Sequence, residues 1–210
     1  MDPVKIIEGK VSDLPRDDVD TDQIIPARFM KRVERTGFGE FLFHDAKQAP
    51  DWNVAVGEEY PILTSGANFG SGSSREHAPW ALEDAGFQAI IAVSLADIFY
   101  SNSTKIGLLP IELPEEQVRA IAAAGEARID LEAQTVTAGG ERFAFDIHPE
   151  TKHRLLNGLD DIGLTLAQSE KIDAYEARQA ARAWSGPSSL SLPPEGDGRV
   201  AGTLSTTPVA

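Results

Sequence analysis

Between residues 61 and 113 the sequence alternates short, strongly apolar runs with helical stretches whose ends carry glycine. Residues 61–64, 89–93 and 108–113 are too short for helices and rich in Ile, Leu and Val, so they read as buried strands. The segments between them predict helices over 74–85, with Gly86 as C-cap, and over 95–105, ended by Gly107. Parallel strands need crossover connections of this kind. The pattern therefore predicts an α/β fold, a three-layer arrangement around a mainly parallel core.

The flanks add smaller pieces. Residues 4–11 read as a first strand, followed by an acidic loop through Asp13, Asp17, Asp18, Asp20 and Asp22. Residues 26–60 have weak periodicity and scattered aromatics, predicting a long irregular excursion with short helical turns; long loops in compact domains commonly carry function. A helix is expected over 115–124, then short strands over 127–132, 134–138 and 141–147. Gly139-Gly140 supplies a two-residue hairpin turn between the last two. Helices over 149–156 and 167–184 complete a single domain of residues 1–184. From Ser185 to Ala210 the chain turns to Ser, Pro, Gly and Thr without any period, which predicts a disordered tail.

Charge and cysteine content exclude several functions. Nineteen Lys and Arg against 33 Asp and Glu give a net charge of −14, which disfavours nucleic acid as a partner, since phosphate binding needs a basic face. No unbroken apolar run exceeds five residues, as at 89–93, so no membrane span is expected. The amino-terminal residues lack the apolar stretch of a secretory signal, and a cytoplasmic protein is expected. The absence of cysteine removes thiolate nucleophiles, disulfides and self-contained iron–sulfur sites. Four scattered histidines offer no pair at metal-ligand spacing, so no metal ligands are assigned to this chain.

The chemically informative segment is Gly66-Ala-Asn-Phe-Gly-Ser-Gly-Ser-Ser-Arg-Glu-His-Ala-Pro-Trp80, between a strand and a helix. Its glycines, Gly72 among them, let the backbone approach a ligand, and the amides of the following helix present partial positive charge. Arg75 adds a fork that can grip a carboxylate, and the hydroxyls of Ser73 and Ser74 stand beside it. Next to those donors a serine could be stabilised as alkoxide and act as a base. Ser73-x-x-Glu76 also fits a capping box, in which the hydroxyl only satisfies a helix amide. Pro79 argues against this, because a helix capped at Ser73 would put proline at its sixth position; a start one or two residues later leaves Ser73 free. The segment lacks the third glycine of a dinucleotide fingerprint and the lysine of a P-loop, and it contains no nucleophile elbow. His77 reads as a structural hydrogen-bonding residue.

The run Phe69-Gly-Ser-Gly-Ser-Ser-Arg-Glu-His-Ala-Pro-Trp-Ala-Leu82 resembles the signature of the small-subunit family of 3-isopropylmalate dehydratase, itself similar to the swivelling domain of aconitase. The likeness extends to Asp20-Thr-Asp-Gln-Ile-Ile-Pro26, Arg35-Thr-Gly-Phe-Gly39, Ala96-Asp-Ile-Phe-Tyr100, Gly107-Leu-Leu-Pro110 and Asn157-Gly-Leu-Asp-x-Ile-Gly-Leu-Thr165, spanning roughly residues 4 to 180. It implies a swivelling β/β/α domain that is active only with a large subunit, which carries a [4Fe–4S] cluster. By the same resemblance the reaction is isomerisation of 2-isopropylmalate to 3-isopropylmalate, by dehydration and rehydration, in leucine biosynthesis. Ser73 would be the base, and Arg75 and Ser74 would hold a carboxylate of the small dicarboxylic acid. Related hydro-lyases acting on homoaconitate, citraconate or dimethylmaleate, and a non-catalytic module that binds anions or docks partners, are the alternatives. Position 71 is Ser where many members have Cys.

Other assignments rest on position within the resemblance. Asp20 and Asp22 either line the site or cap local turns. Residues 28–39 correspond to the family's substrate-recognition loop, where Arg35, or else Arg32, would bind a second carboxylate. Phe29, Met30 and Phe38 would supply either an apolar surface for an isopropyl group or core packing. Lys105 reads as a helix C-terminal cation.

Overall fold

The computed structural model describes residues 1–31, 35–50, 52–166 and 168–181. Among these residues the strands form one seven-stranded sheet, ordered β4-β3-β2-β1-β5-β6-β7. Four strands are parallel: β1 (Ile6–Leu14), β2 (Ile62–Ser65), β3 (Ala89–Ala92) and β4 (Leu109–Glu112). On the other side of β1, β5 (Glu126–Asp130), β6 (Thr135–Ala138) and β7 (Glu141–Ala144) form an antiparallel meander. Strand β1 is the seam, pairing Val11 with Ile62 on its parallel edge and Ile7 with Ile129 on its antiparallel edge.

The period of two along each strand divides the apolar residues between two cores. On one face Leu63, Ile90 and Ala92 pack with Ala78, Ala81 and Leu82 of α2 (His77–Asp84) and Phe99 of α3 (Asp97–Ile106). On the other face Ile62, Ala89, Ile91, Leu109 and Ile111 pack with Val118 and Ile121 of α4 (Glu115–Ala124) and Leu155 of α5 (Pro149–Asn157). Helix, sheet and helix make the three layers the alternation predicts. The excursion between β1 and β2 folds onto the first face through Phe38, Leu42 and Phe43, and carries single 3₁₀ turns at Ala27–Phe29, Gly39–Phe41 and Ala46–Gln48.

Several element ends differ from expectation for identifiable reasons. Helix α2 begins at His77, not near Ser74. This puts Pro79 at the third helical position, where its missing N–H has no intrahelical partner to lose. A four-residue helix, α1 (Thr21–Ile24), stands within the acidic loop, because the Asp20 side chain accepts the Gln23 amide at 2.7 Å and caps it. The helix expected over 167–184 is present as α7 (Ser169–Ala181), and a further helix that was not expected, α6 (Asp161–Leu166), precedes it. Gly163 masks α6 in the sequence; its amide donates to Asp160 Oδ1 at 2.7 Å and so helps to start a helix that glycine ordinarily weakens. Gly139 and Gly140, both at positive φ, make the expected hairpin turn.

The chain divides into two compact units after residue 167. In the second, α7 exposes Ile172 and Tyr175. The tail expected from Ser185 lies outside the described residues. Among the described residues no helix is long and apolar enough to cross a membrane.

Candidate active site

The loop after β2 is laid along the loop after β1, both at the C-terminal ends of parallel strands, where ligands of such sheets commonly bind. Its contacts run in order. Gly66 donates to Arg16 O at 3.0 Å, and Ala67 donates to Asp17 Oδ1 at 2.6 Å. The Asn68 side chain donates to Asp18 Oδ1 at 2.7 Å, and Gly70 donates to Val19 O at 2.7 Å. Thr21 N donates to Ser71 O at 2.9 Å, and Ser73 N donates to Thr21 Oγ1 at 3.1 Å. Asp17 and Asp18 thus serve as acceptors that hold the loop, which accounts for part of the acidic cluster. Gly70 is obligatory: its φ is +78°, and a Cβ there would lie 2.2 Å from Phe99 Cγ.

Ser73 and Ser74 are exposed at the end of this track. Helix α2 takes Glu76 as its N-cap residue without a side-chain cap bond, so Ser73 does not cap it. Among the described residues neither serine hydroxyl makes a hydrogen bond. Arg75 donates its amide to Ser73 O at 2.8 Å and its Nη1 to Asp22 Oδ1 at 2.6 Å. The Asp22 oxygen also accepts the Ala27 amide at 3.2 Å, so the carboxylate is fixed before it meets the guanidinium. The pair is open to solvent, with side chains 32% and 57% exposed, which leaves further guanidinium donors available to an incoming anion.

His77 opens α2, with its ring 5.2 Å from Phe38 and 4.8 Å from Trp80. Burial pushes its pKa below the usual imidazole range; Glu76 opposes this and Arg75 adds to it. Its ring packs against Phe38 and Trp80, and among the described residues it makes none of the hydrogen bonds expected of it. Phe38 is fully buried and its amide donates to Asp84 Oδ2 at 2.8 Å, so it belongs to the core. Phe29 stacks on Phe41 at 4.3 Å, and Met30 packs partly buried against the same core.

The cations assigned to a second carboxylate are placed differently. Arg35 lies over the Trp80 ring, 5.1 Å from its centroid, and lines a hollow with Glu76, Asn102, Lys105, Asp160 and Asp161. Asp20 and Asp22 line another hollow with Arg16, Asp17, Gln23 and Asp45. The structure brings Asp22, Gly72, Ser73, Ser74 and Arg75 together, whereas Arg35 lies over Trp80 and shares its hollow with Glu76; Arg32 lies outside the described residues. The residue missed by sequence reasoning is Thr21. Its only signal was a buried-type β-branched residue between two carboxylates.

Among the described residues no group of three His, Asp or Glu side chains could hold a metal ion. The sequence matches the Aconitase C-terminal domain model over residues 1–116 and a LeuD_N model over 116–149. Residues 161–184 match the model of the C-terminal domain of the 3-isopropylmalate dehydratase small subunit. The chain is similar to the 3-isopropylmalate dehydratase small subunit of Rubrobacter xylanophilus, at 48% identity over 184 residues, covering 84% of this chain and 94% of that protein. The small subunit of Ruegeria pomeroyi is 46% identical over 194 residues, covering 85% of this chain and 96% of that protein. Among solved structures, the crystal structure of 3-isopropylmalate dehydratase from Methanocaldococcus jannaschii superposes with a TM-score of 0.63 at 26% identity, covering 81% of this chain and 99% of that one.

Proposed function

Because the chain belongs to the family of 3-isopropylmalate dehydratase small subunits, hydro-lyase components of leucine biosynthesis that work with a large subunit, we propose that Ser73 is the base of the reaction. The observation that carries this is an exposed Ser73 hydroxyl uncommitted to its own helix, on a backbone pinned from both sides and two residues from a guanidinium. The substrate in this reading is 2-isopropylmalate. Ser73 Oγ, as alkoxide, takes the proton from the carbon next to a carboxylate. The electrons of that C–H bond form the carbon–carbon double bond as hydroxide leaves the neighbouring carbon. Hydroxide then adds to the carbon that lost the proton while Ser73 delivers that proton to the carbon that lost hydroxide, which restores the alkoxide and gives 3-isopropylmalate.

The remaining groups bind and orient. Arg75 offers guanidinium donors not spent on Asp22 to a substrate carboxylate, helped by Ser74 and by close backbone approach at Gly72. The partial positive charge at the start of α2 stabilises the alkoxide and the bound anion alike. Arg35, with Arg32 as second choice, binds the other carboxylate once the partner closes over the loop. Asp22 aims Arg75 and does not itself contact a dianion, which it would repel.

A [4Fe–4S] cluster takes thiolate ligands, and 210 residues without cysteine do not fit one, so in this reading the large subunit holds it. There it would assist departure of hydroxide as a Lewis acid. The reaction is assigned to the cytoplasm. The test is reconstitution with a cluster-loaded large subunit: Ser73→Ala should assemble normally and lose about 10²- to 10⁴-fold in kcat. Normal turnover by that variant would remove Ser73 from the role.

A further inference from the structure

Thr21 is the first residue of α1 and only 2% exposed. Its amide donates to Ser71 O at 2.9 Å and its Oγ1 accepts the Ser73 amide at 3.1 Å. Its own carbonyl accepts the Ile25 amide at 2.9 Å, which ties the residue into α1. One buried side chain and its amide therefore grip the loop on either side of Gly72. That glycine has φ +94° and nothing closer than 3.5 Å to where a Cβ would sit, so nothing about its own packing restrains its torsions. The Asp20–Ser71 bridge adds a contact on the same side as Ser71. On the Ser73 side, Thr21 Oγ1 accepts the serine's own amide.

Threonine suits this task. Its branched Cβ restricts χ1, so the Oγ1 position is set by α1 and not by rotamer averaging. Thr21 is buried, so little water reaches its Oγ1 to compete with the Ser73 amide there. We propose that Thr21 is a positioning residue that fixes the peptide carrying Ser73, and with it the direction in which the Ser73 hydroxyl points. The inference rests on the reading of Ser73 as the base and extends it to a residue that touches no substrate.

The test uses the full chain, alone and assembled with its large subunit. Thr21→Val keeps shape and removes the acceptor; Thr21→Ser keeps the acceptor and removes the methyl. In the complex, Thr21→Val should lower kcat about tenfold to a hundredfold with KM little changed, since a small misplacement of a reacting group carries that cost. Thr21→Ser should recover most of the loss. Equal impairment of the two variants, or wild-type kcat in Thr21→Val, would overturn the proposal. In a Ser73→Ala background Thr21→Val should cause no further loss; a fully additive loss would show that Thr21 acts by another route. Amide hydrogen exchange keeps the clamp testable whatever Ser73 does. The Ser73 amide should exchange about tenfold faster in Thr21→Val and not in Thr21→Ser. Unchanged exchange sinks the clamp, whereas normal turnover by Ser73→Ala sinks only the base assignment.

Discussion

At the scale of single residues, the Arg75–Asp22 pair is the contact that most changes how the site is understood. An ion pair this exposed contributes little to folding, about 1 kcal/mol at most, so in the proposed reading its role is to orient the guanidinium. Asp22→Asn should therefore leave the unfolding midpoint almost unchanged while kcat/KM falls about tenfold, measured by steady-state kinetics on the reconstituted enzyme. A lower KM in that variant would mean that Asp22 competes with the substrate and does not aim its receptor. The roles of these residues were unequally visible in the sequence. Ser73 and Arg75 stand in a glycine-rich loop whose chemistry is local, so their grouping could be read from neighbours. Asp22 and Thr21 act on residues some fifty positions away, and a carboxylate that aims an arginine looks the same in sequence as one that caps a turn.

At the scale of elements, the start of α2 leaves Ser73 outside the helix cap. Because Glu76 takes the N-cap position, the Ser73→Ala exchange has no cap bond to remove, and the hydroxyl is left for chemistry. The same loop depends on close packing farther back. Gly70→Ala would have to hold positive φ with a methyl and push Phe99 aside. It should cost about 2–4 kcal/mol, read by urea unfolding; a variant as stable as the parent would mean that the loop and α3 can separate freely. Helix α2 was legible as a helix but not in its first residue, because the Ser73-x-x-Glu76 pattern competes with the constraint imposed by Pro79. Helix α6 was not legible at all: Gly163 lowers helical propensity, and the Asp160 side chain that compensates becomes evident only in three dimensions.

At the scale of the whole molecule, the parallel half of the sheet was legible because β2, β3 and most of β4 are buried on both faces and therefore read as short continuous apolar runs. The junction was not. Joining residue 7 to residue 129 leaves no local mark, and neither hydrophobic period nor turn chemistry reveals which strand the meander will adopt. The architecture predicts that β1, which joins the two halves of the sheet by pairing with β5 over residues 6–10 and with β2 over residues 11–14, holds the slowest-exchanging amides of the chain. Ile7 and Val11 should be protected to nearly the global unfolding free energy, and the amides of Gly72 and Ser74 far less. Native-state hydrogen exchange measures both, and slower exchange in β4 or β7 than in β1 would contradict the assignment of β1 as the seam.

The seam has a further consequence during translation. Of the described strands, the earliest to leave the ribosome is the one placed in the middle of the sheet, and its two neighbours are synthesised much later, β2 at residue 62 and β5 at residue 126. Until both have emerged, the nascent chain carries an unpaired Ile- and Val-bearing segment into the cell, so correct maturation depends on shielding that segment from other polypeptides until the meander arrives.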